Sequence, residues 1–206
     1  MLVQSILVAA ALWFLMFSPW TAPYFNFWWA MTFSAVTLTL LSIAATRRLP
    51  RLHARTWRQN IENLLLAVFI ALVLWFAFYW GDIVSQWLFD FARPQVNLIY
   101  DMKTGMSPRL IALLLLFIIG PAEEIFWRGY VQRTLAQRLS PTLAFLTTTG
   151  IYTLVHLPSL NFMLIMAAMV CGLAWGGLYR LFPERLPAII LSHALWDAAA
   201  FVWFPF

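Results

Sequence analysis

Charge is scarce in this chain. Of its 206 residues only 13 are Lys or Arg and 8 are Asp or Glu, whereas 63% are hydrophobic. That composition excludes an ordinary soluble domain, in which about a quarter of the residues are charged. Cysteine is nearly absent too. The single Cys171 lies inside an apolar run, which excludes an intramolecular disulfide, gives no reading of the redox compartment and leaves packing as its expected role. Internal repeats and low-complexity segments are missing. The first apolar stretch lacks the basic leader and small-residue cleavage site of a signal peptide, so it is expected to be retained as a helix.

What the chain has in abundance is apolar runs. A membrane span needs about 20 apolar residues, and seven stretches qualify: Leu2 to Phe17, Tyr24 to Ala45, Ile61 to Phe89, Arg109 to Arg128, Thr142 to Leu157, Leu160 to Tyr179 and Leu186 to Phe204. The expected fold is all-α, a polytopic transmembrane helical bundle of about seven spans. In such a protein the placement of charge matters more than the net +5, and no nucleic-acid partner is expected. Arg47, Arg48, Arg51, Arg55 and Arg58 share one loop; Arg133 and Arg138 lie in a second, Arg180 and Arg185 in a third. With seven alternating helices all three loops fall on one side, opposite Arg93, Lys103 and Arg109. The positive-inside rule then places the N-terminus in the cytoplasm and the C-terminus outside. Short loops of this pattern look bacterial and point to the inner membrane. Aromatic clusters such as "NFWWAM" and "FVWFPF" read as interfacial belts.

Ionisable residues within spans cost about 2.5 to 3.5 kcal/mol on insertion scales and normally face the bundle interior or a wet cavity. Away from the span ends these are Glu123, Glu124, Arg128, His156, His193, Asp197 and Asp82. Asp82 lies near the outer end of the third span, where an acid can reach headgroups, and is left out of the site. Glu124 and Arg128, at i and i+4, stack on one helical face as a charge-assisted pair. Glu123 is turned about 100° from Glu124 and has no local cation. An ion pair that merely locks two helices is the bland reading of this group. His156 follows Tyr152 by one turn in "YTLVHLPSL". If the intervening turn is "LSPT", with Pro141 at a first helical position, Glu123 lies seventeen residues before Ser140 and His156 sixteen after it. An antiparallel hairpin brings the two to nearly the same depth, where they can share a water. In "LSHALWDAAA", His193 and Asp197 again lie at i and i+4, and the acid can orient the imidazole. Gly172 and Gly176 have the small-xxx-small spacing of close helix packing.

These residues resemble a known family. "EEIFWR" fits an EExxxR motif, "YTLVH" resembles FxxxH with tyrosine in the phenylalanine place, and "HALWD" fits Hxxx followed by Asn or Asp. The ordered trio on successive membrane helices, within about Pro108 to Ala200, is similar to the CPBP family, which includes type II CAAX prenyl endopeptidases and the Abi or bacteriocin-processing proteins. Residues 1–107 are then N-terminal transmembrane helices without a recognised motif, and 108–206 the catalytic helices of one integrated membrane domain. The resemblance implies an intramembrane glutamic endopeptidase. In it Glu123 activates water with help from His156, Glu124 pairs with Arg128 to hold the helix, and His193 with Asp197 stabilises the oxyanion. The chemistry suits such a site: a carboxylate kept from water can accept a proton and return it to the leaving amine, and the oxyanion needs aimed donors in low dielectric. The implied partners are membrane lipid and a peptide or protein with a membrane-associated segment. Two departures matter. Tyr152 brings a hydroxyl that must find a partner. Asp197 stands where many members have asparagine, and an ionised aspartate only accepts; it is either protonated or serves His193.

No cofactor is expected, with zinc as the alternative, since two histidines and carboxylates are adequate ligands although HExxH is absent. A different class of function is a non-enzymatic bacteriocin immunity or partner-binding protein, or a proton-coupled transporter, though the matching halves that transporters tend to show are not found.

Overall fold

The computed structural model describes residues 1–47 and 56–206, and Arg48, Arg51 and Arg55 of the basic loop lie outside the described residues. Among the described residues there are helices and turns and no strand. Among the described residues seven helices match the seven apolar stretches: α1 Leu2–Phe17, α2 Phe27–Thr46, α3 Trp57–Leu88, α5 Pro108–Leu135, α6 Pro141–Leu154, α7 Phe162–Leu181 and α8 Pro183–Trp203. A shorter helix, α4 Ala92–Asp101, sits between α3 and α5. Five of the helices are long and apolar enough to cross a membrane. With α1 and α6, of 16 and 14 residues, they form an all-helical membrane bundle.

Helix starts are written locally. Asn26, Thr56, Ser140 and Asn161 each cap a helix by accepting from the backbone N–H three residues on, which satisfies one of the donors that a helix leaves open. Pro108 and Pro141 occupy first-turn positions, where a missing N–H costs nothing. The turn before α6 therefore falls at Ser140–Pro141, as the sequence implies.

Large flat side chains fill the centre of the bundle, with Trp13, Trp28, Trp127 and Trp175 almost fully buried. Trp57, Trp80 and Trp87 are largely exposed. Helix α8 packs along α3 and α5, and α7 along α6. One contact is unusually close: a Cβ on Gly120 would lie 2.8 Å from Ala194 Cα, so α5 and α8 touch backbone to backbone there. On the other side of the site, Cβ atoms on Gly172 and Gly176 would lie 3.0 Å from Thr149 and Phe145 of α6. The small-residue spacing in α7 thus faces α6.

Helix α5 is not uniform. Its turns at Leu115–Ile119 and Trp127–Gln132 are π-helical and bracket the ordinary α turn Gly120–Phe126. Such insertions rotate the side chains that follow and are frequent at functional sites. The basic helix ends share one side of the bundle, where Arg185 bonds Glu62 and Asn63, and Arg180 bonds Thr142.

One expectation is corrected. Residues between the third and fourth apolar stretches read as a loop, yet 92–101 are helical. Val96, Ile99 and Tyr100 follow i, i+3, i+4 spacing and line the central cavity, so an amphipathic face docks α4 over it. The helix is short and polar on its other face, which hides it from any search for hydrocarbon-length runs. Gln95 fixes its position by accepting from Met163 N and from the Asn161 side-chain amide at the start of α7.

Candidate active site

Glu123 and Glu124 leave the same α turn in different directions. Glu123 is buried, and its Oε2 accepts a hydrogen bond from the Tyr152 hydroxyl at 3.1 Å. That bond gives the departing tyrosine its partner. Glu124, with no exposed surface, turns instead toward α7 and α8. Its Oε1 accepts from Arg128 Nη1 at 2.7 Å and from His193 Nδ1 at 2.7 Å. Arg128 also donates to the Cys171 carbonyl at 3.4 Å, and its guanidinium lies 5.0 Å over the Tyr152 ring, within the range of a cation–π contact.

His193 stands between two acids. Its Nδ1 meets Glu124, and its Nε2 lies 3.4 Å from Asp197 Oδ2. A carboxylate accepts, so the short bond to Glu124 places a proton on Nδ1. Trp175 stacks on the ring with centroids 3.8 Å apart, and is itself anchored by donating to Ser192 at 3.1 Å. The sequence gives each acid a single basic partner. In the folded chain Glu124 serves both Arg128 and His193, and the bond from His193 to Glu124 is shorter than its contact with Asp197.

His156 sits where α6 ends and a 3-10 turn, Leu157–Ser159, begins. Its Nδ1 faces the Tyr152 carbonyl at 2.7 Å and, since a carbonyl only accepts, carries the proton. Its Nε2 accepts from Trp13 Nε1 at 3.3 Å. Trp13 lies 143 positions away in α1. No local spacing could have flagged it, and the same holds for Trp175.

A cavity of about 390 Å³ opens in the middle of the bundle, within the size range of ligand sites. Glu123, Tyr152, His156, His193 and Asp197 all line it, whereas Glu124 and Arg128 lie behind its wall; Asp82, set aside in the sequence, also lines it, paired with Arg93 and Gln86. The rest of the lining is overwhelmingly apolar and includes Phe17, Trp28 and Met31 from the first two helices. Among the described residues no group of three or more His, Cys, Asp or Glu side chains is placed to hold a metal ion. Each ring nitrogen of His156 and His193 faces a protein partner.

A polytopic helical bundle with acids, imidazoles and an apolar cavity at its core defines an integral membrane protein whose polar cluster faces an apolar cavity. Residues 105–199, which hold Glu123, Glu124, Arg128, His156, His193 and Asp197, match the family model described as type II CAAX prenyl endopeptidase Rce1-like, so this part of the chain is similar to that family. No curated protein and no solved structure matches the chain.

Proposed function

We propose that the protein is an intramembrane glutamic endopeptidase that hydrolyses a peptide bond in a membrane-tethered or membrane-proximal protein or peptide. One observation carries the reading: of the seven ionisable residues within the spans, Glu123, His156, His193, Asp197 and also Asp82 line a single cavity, while the Glu124–Arg128 pair stays behind it. Glu123 is the acid whose carboxylate meets the cavity with only a neutral phenol as partner. In the proposed reaction Glu123 takes a proton from water as the oxygen attacks the scissile carbonyl carbon. His193, doubly protonated in this scheme, keeps Nδ1–H on Glu124 and turns Nε2–H, only 3.4 Å from Asp197, to donate to the resulting oxyanion. Collapse of the tetrahedral intermediate breaks the C–N bond, and Glu123 returns the proton to the leaving amine. No metal takes part in this scheme, and cleavage should survive a strong chelator; loss of activity that zinc restores would reject it.

The setting proposed is a bacterial inner membrane, with the N-terminus cytoplasmic on the strength of the arginine-rich loops. The decisive experiment compares the termini of membrane and secreted proteins in the native host carrying wild-type protein or Glu123→Gln, by mass spectrometry. At least one protein should retain an uncleaved segment beside a hydrophobic stretch in the variant. Identical termini, with both proteins present in the membrane, would reject proteolysis in favour of a binding or immunity role.

A further inference from the structure

The family match begins at residue 105, yet one hydrogen bond into the site comes from the first helix. Trp13 has no exposed surface. Its indole N–H points at His156 Nε2, the rings meet edge to face with centroids 6.2 Å apart, and Trp127 also packs edge to face on the indole at 6.3 Å. An indole N–H can only donate. Because Nδ1 already gives its proton to the Tyr152 carbonyl, a proton on Nε2 would set two donors against each other. The ring therefore has one compatible state, neutral with Nε2 as the acceptor.

We propose that Trp13 is a positioning residue for this site, its indole N–H holding His156 in the neutral Nδ1–H tautomer with Nε2 as a hydrogen-bond acceptor. Two bonds at opposite corners fix the ring plane, which Phe17 covers at a centroid distance of 5.3 Å. The contact to Trp13, at 3.3 Å, is at the long end for a hydrogen bond. It orients the lone pair while leaving it able to accept from a second donor. Tyr152 links this ring to the acid that acts on water, since its carbonyl holds His156 and its hydroxyl holds Glu123. A ring released from Trp13 can turn and carry the Tyr152 turn with it. The effect on cleavage rests on the peptidase reading above, while the effect on the histidine does not.

The test replaces Trp13 with β-(3-benzothienyl)alanine, which puts sulfur in place of the indole N–H with little change of shape. The chain has three histidines, so spectra of protein labelled with 15N-histidine in lipid nanodiscs are simple, and His156→Gln assigns the signal. In the native protein His156 should show one protonated nitrogen and one hydrogen-bonded acceptor nitrogen. The analogue should move the acceptor signal toward that of a free imidazole nitrogen without lowering the melting temperature. Processing of the termini that depend on Glu123 should fall about tenfold, the scale set by one hydrogen bond to a positioned group. An unmoved acceptor signal would overturn the proposal, as would a moved signal with processing at the native rate. Should Glu123→Gln leave every terminus unchanged, the peptidase reading fails, and the nitrogen spectrum still decides whether Trp13 holds the ring.

Discussion

At the scale of single residues, the site separates into groups that face the cavity and groups that hold them. Tyr152 is the simplest to probe. Tyr152→Phe removes the hydroxyl bonded to Glu123 and keeps the ring that packs on Trp127 and under Arg128. A hydrogen bond of this kind is worth about 1 kcal/mol, so processing should slow about fivefold with the melting temperature nearly unchanged. Equal rates would show that Glu123 needs no help in holding its pose. Glu124 is more exposed to loss, because it serves two cations. Arg128→Ala leaves the acid with His193 alone, and a broken buried pair destabilises by about 3 kcal/mol. Adding Glu124→Ala should restore part of that stability but no activity, since His193 then loses its shorter bond; strictly additive melting losses would count against the pair. Most of this was legible in advance. The i, i+4 spacing of Glu124 and Arg128 gives their pairing, and the angular offset of Glu123 gives its separate direction. The shared use of Glu124 was not legible, because it depends on how closely two helices approach.

That approach belongs to the scale of elements. Gly120 sits one turn before Glu124, and Ala194, which it touches, follows His193 directly. The absence of a single side chain lets α5 and α8 come together so that a carboxylate on one reaches an imidazole on the other. Gly120→Ala inserts a methyl where backbone atoms lie 2.8 and 3.0 Å away. Overpacking of this sort costs about 2 kcal/mol, and the shift it forces falls beside the Glu124–His193 bond. The variant should melt earlier and lose cleavage out of proportion to its instability, measured on the fraction still folded. A Gly120→Ala protein that melts earlier but cleaves normally when folded would separate the helix contact from the chemistry. Sequence spacing instead draws the eye to Gly172 and Gly176, which join α7 to α6. Gly120 has no partner four residues away and so leaves no pattern. The π turns on either side of it are equally silent, since they come from how α5 fits its neighbours rather than from a local residue preference.

The whole molecule makes one site out of two halves. Helices α1 to α3 carry no recognisable motif, but Trp13, Phe17, Trp28, Met31 and Phe78 contact or line the site. Residues 105–199 expressed alone should insert yet process nothing, whereas a fragment covering 1–104 supplied in the same membrane should restore some processing. Full activity of the short segment would reduce the first helices to a scaffold. Seven apolar stretches were readable because hydrocarbon sets their length; α4 was not, because it docks on protein.

The brevity of α6 has a consequence for the lipid around it. Fourteen residues rise about 21 Å, against about 30 Å of hydrocarbon in a typical bilayer. The difference, roughly 9 Å, is met by local thinning of the membrane around the helix. Thinning would bring headgroups and their water down toward the end of α6, where His156 sits. Hydrophobic mismatch thus becomes a variable of the reaction: turnover in reconstituted vesicles should rise with shorter acyl chains and fall with longer ones.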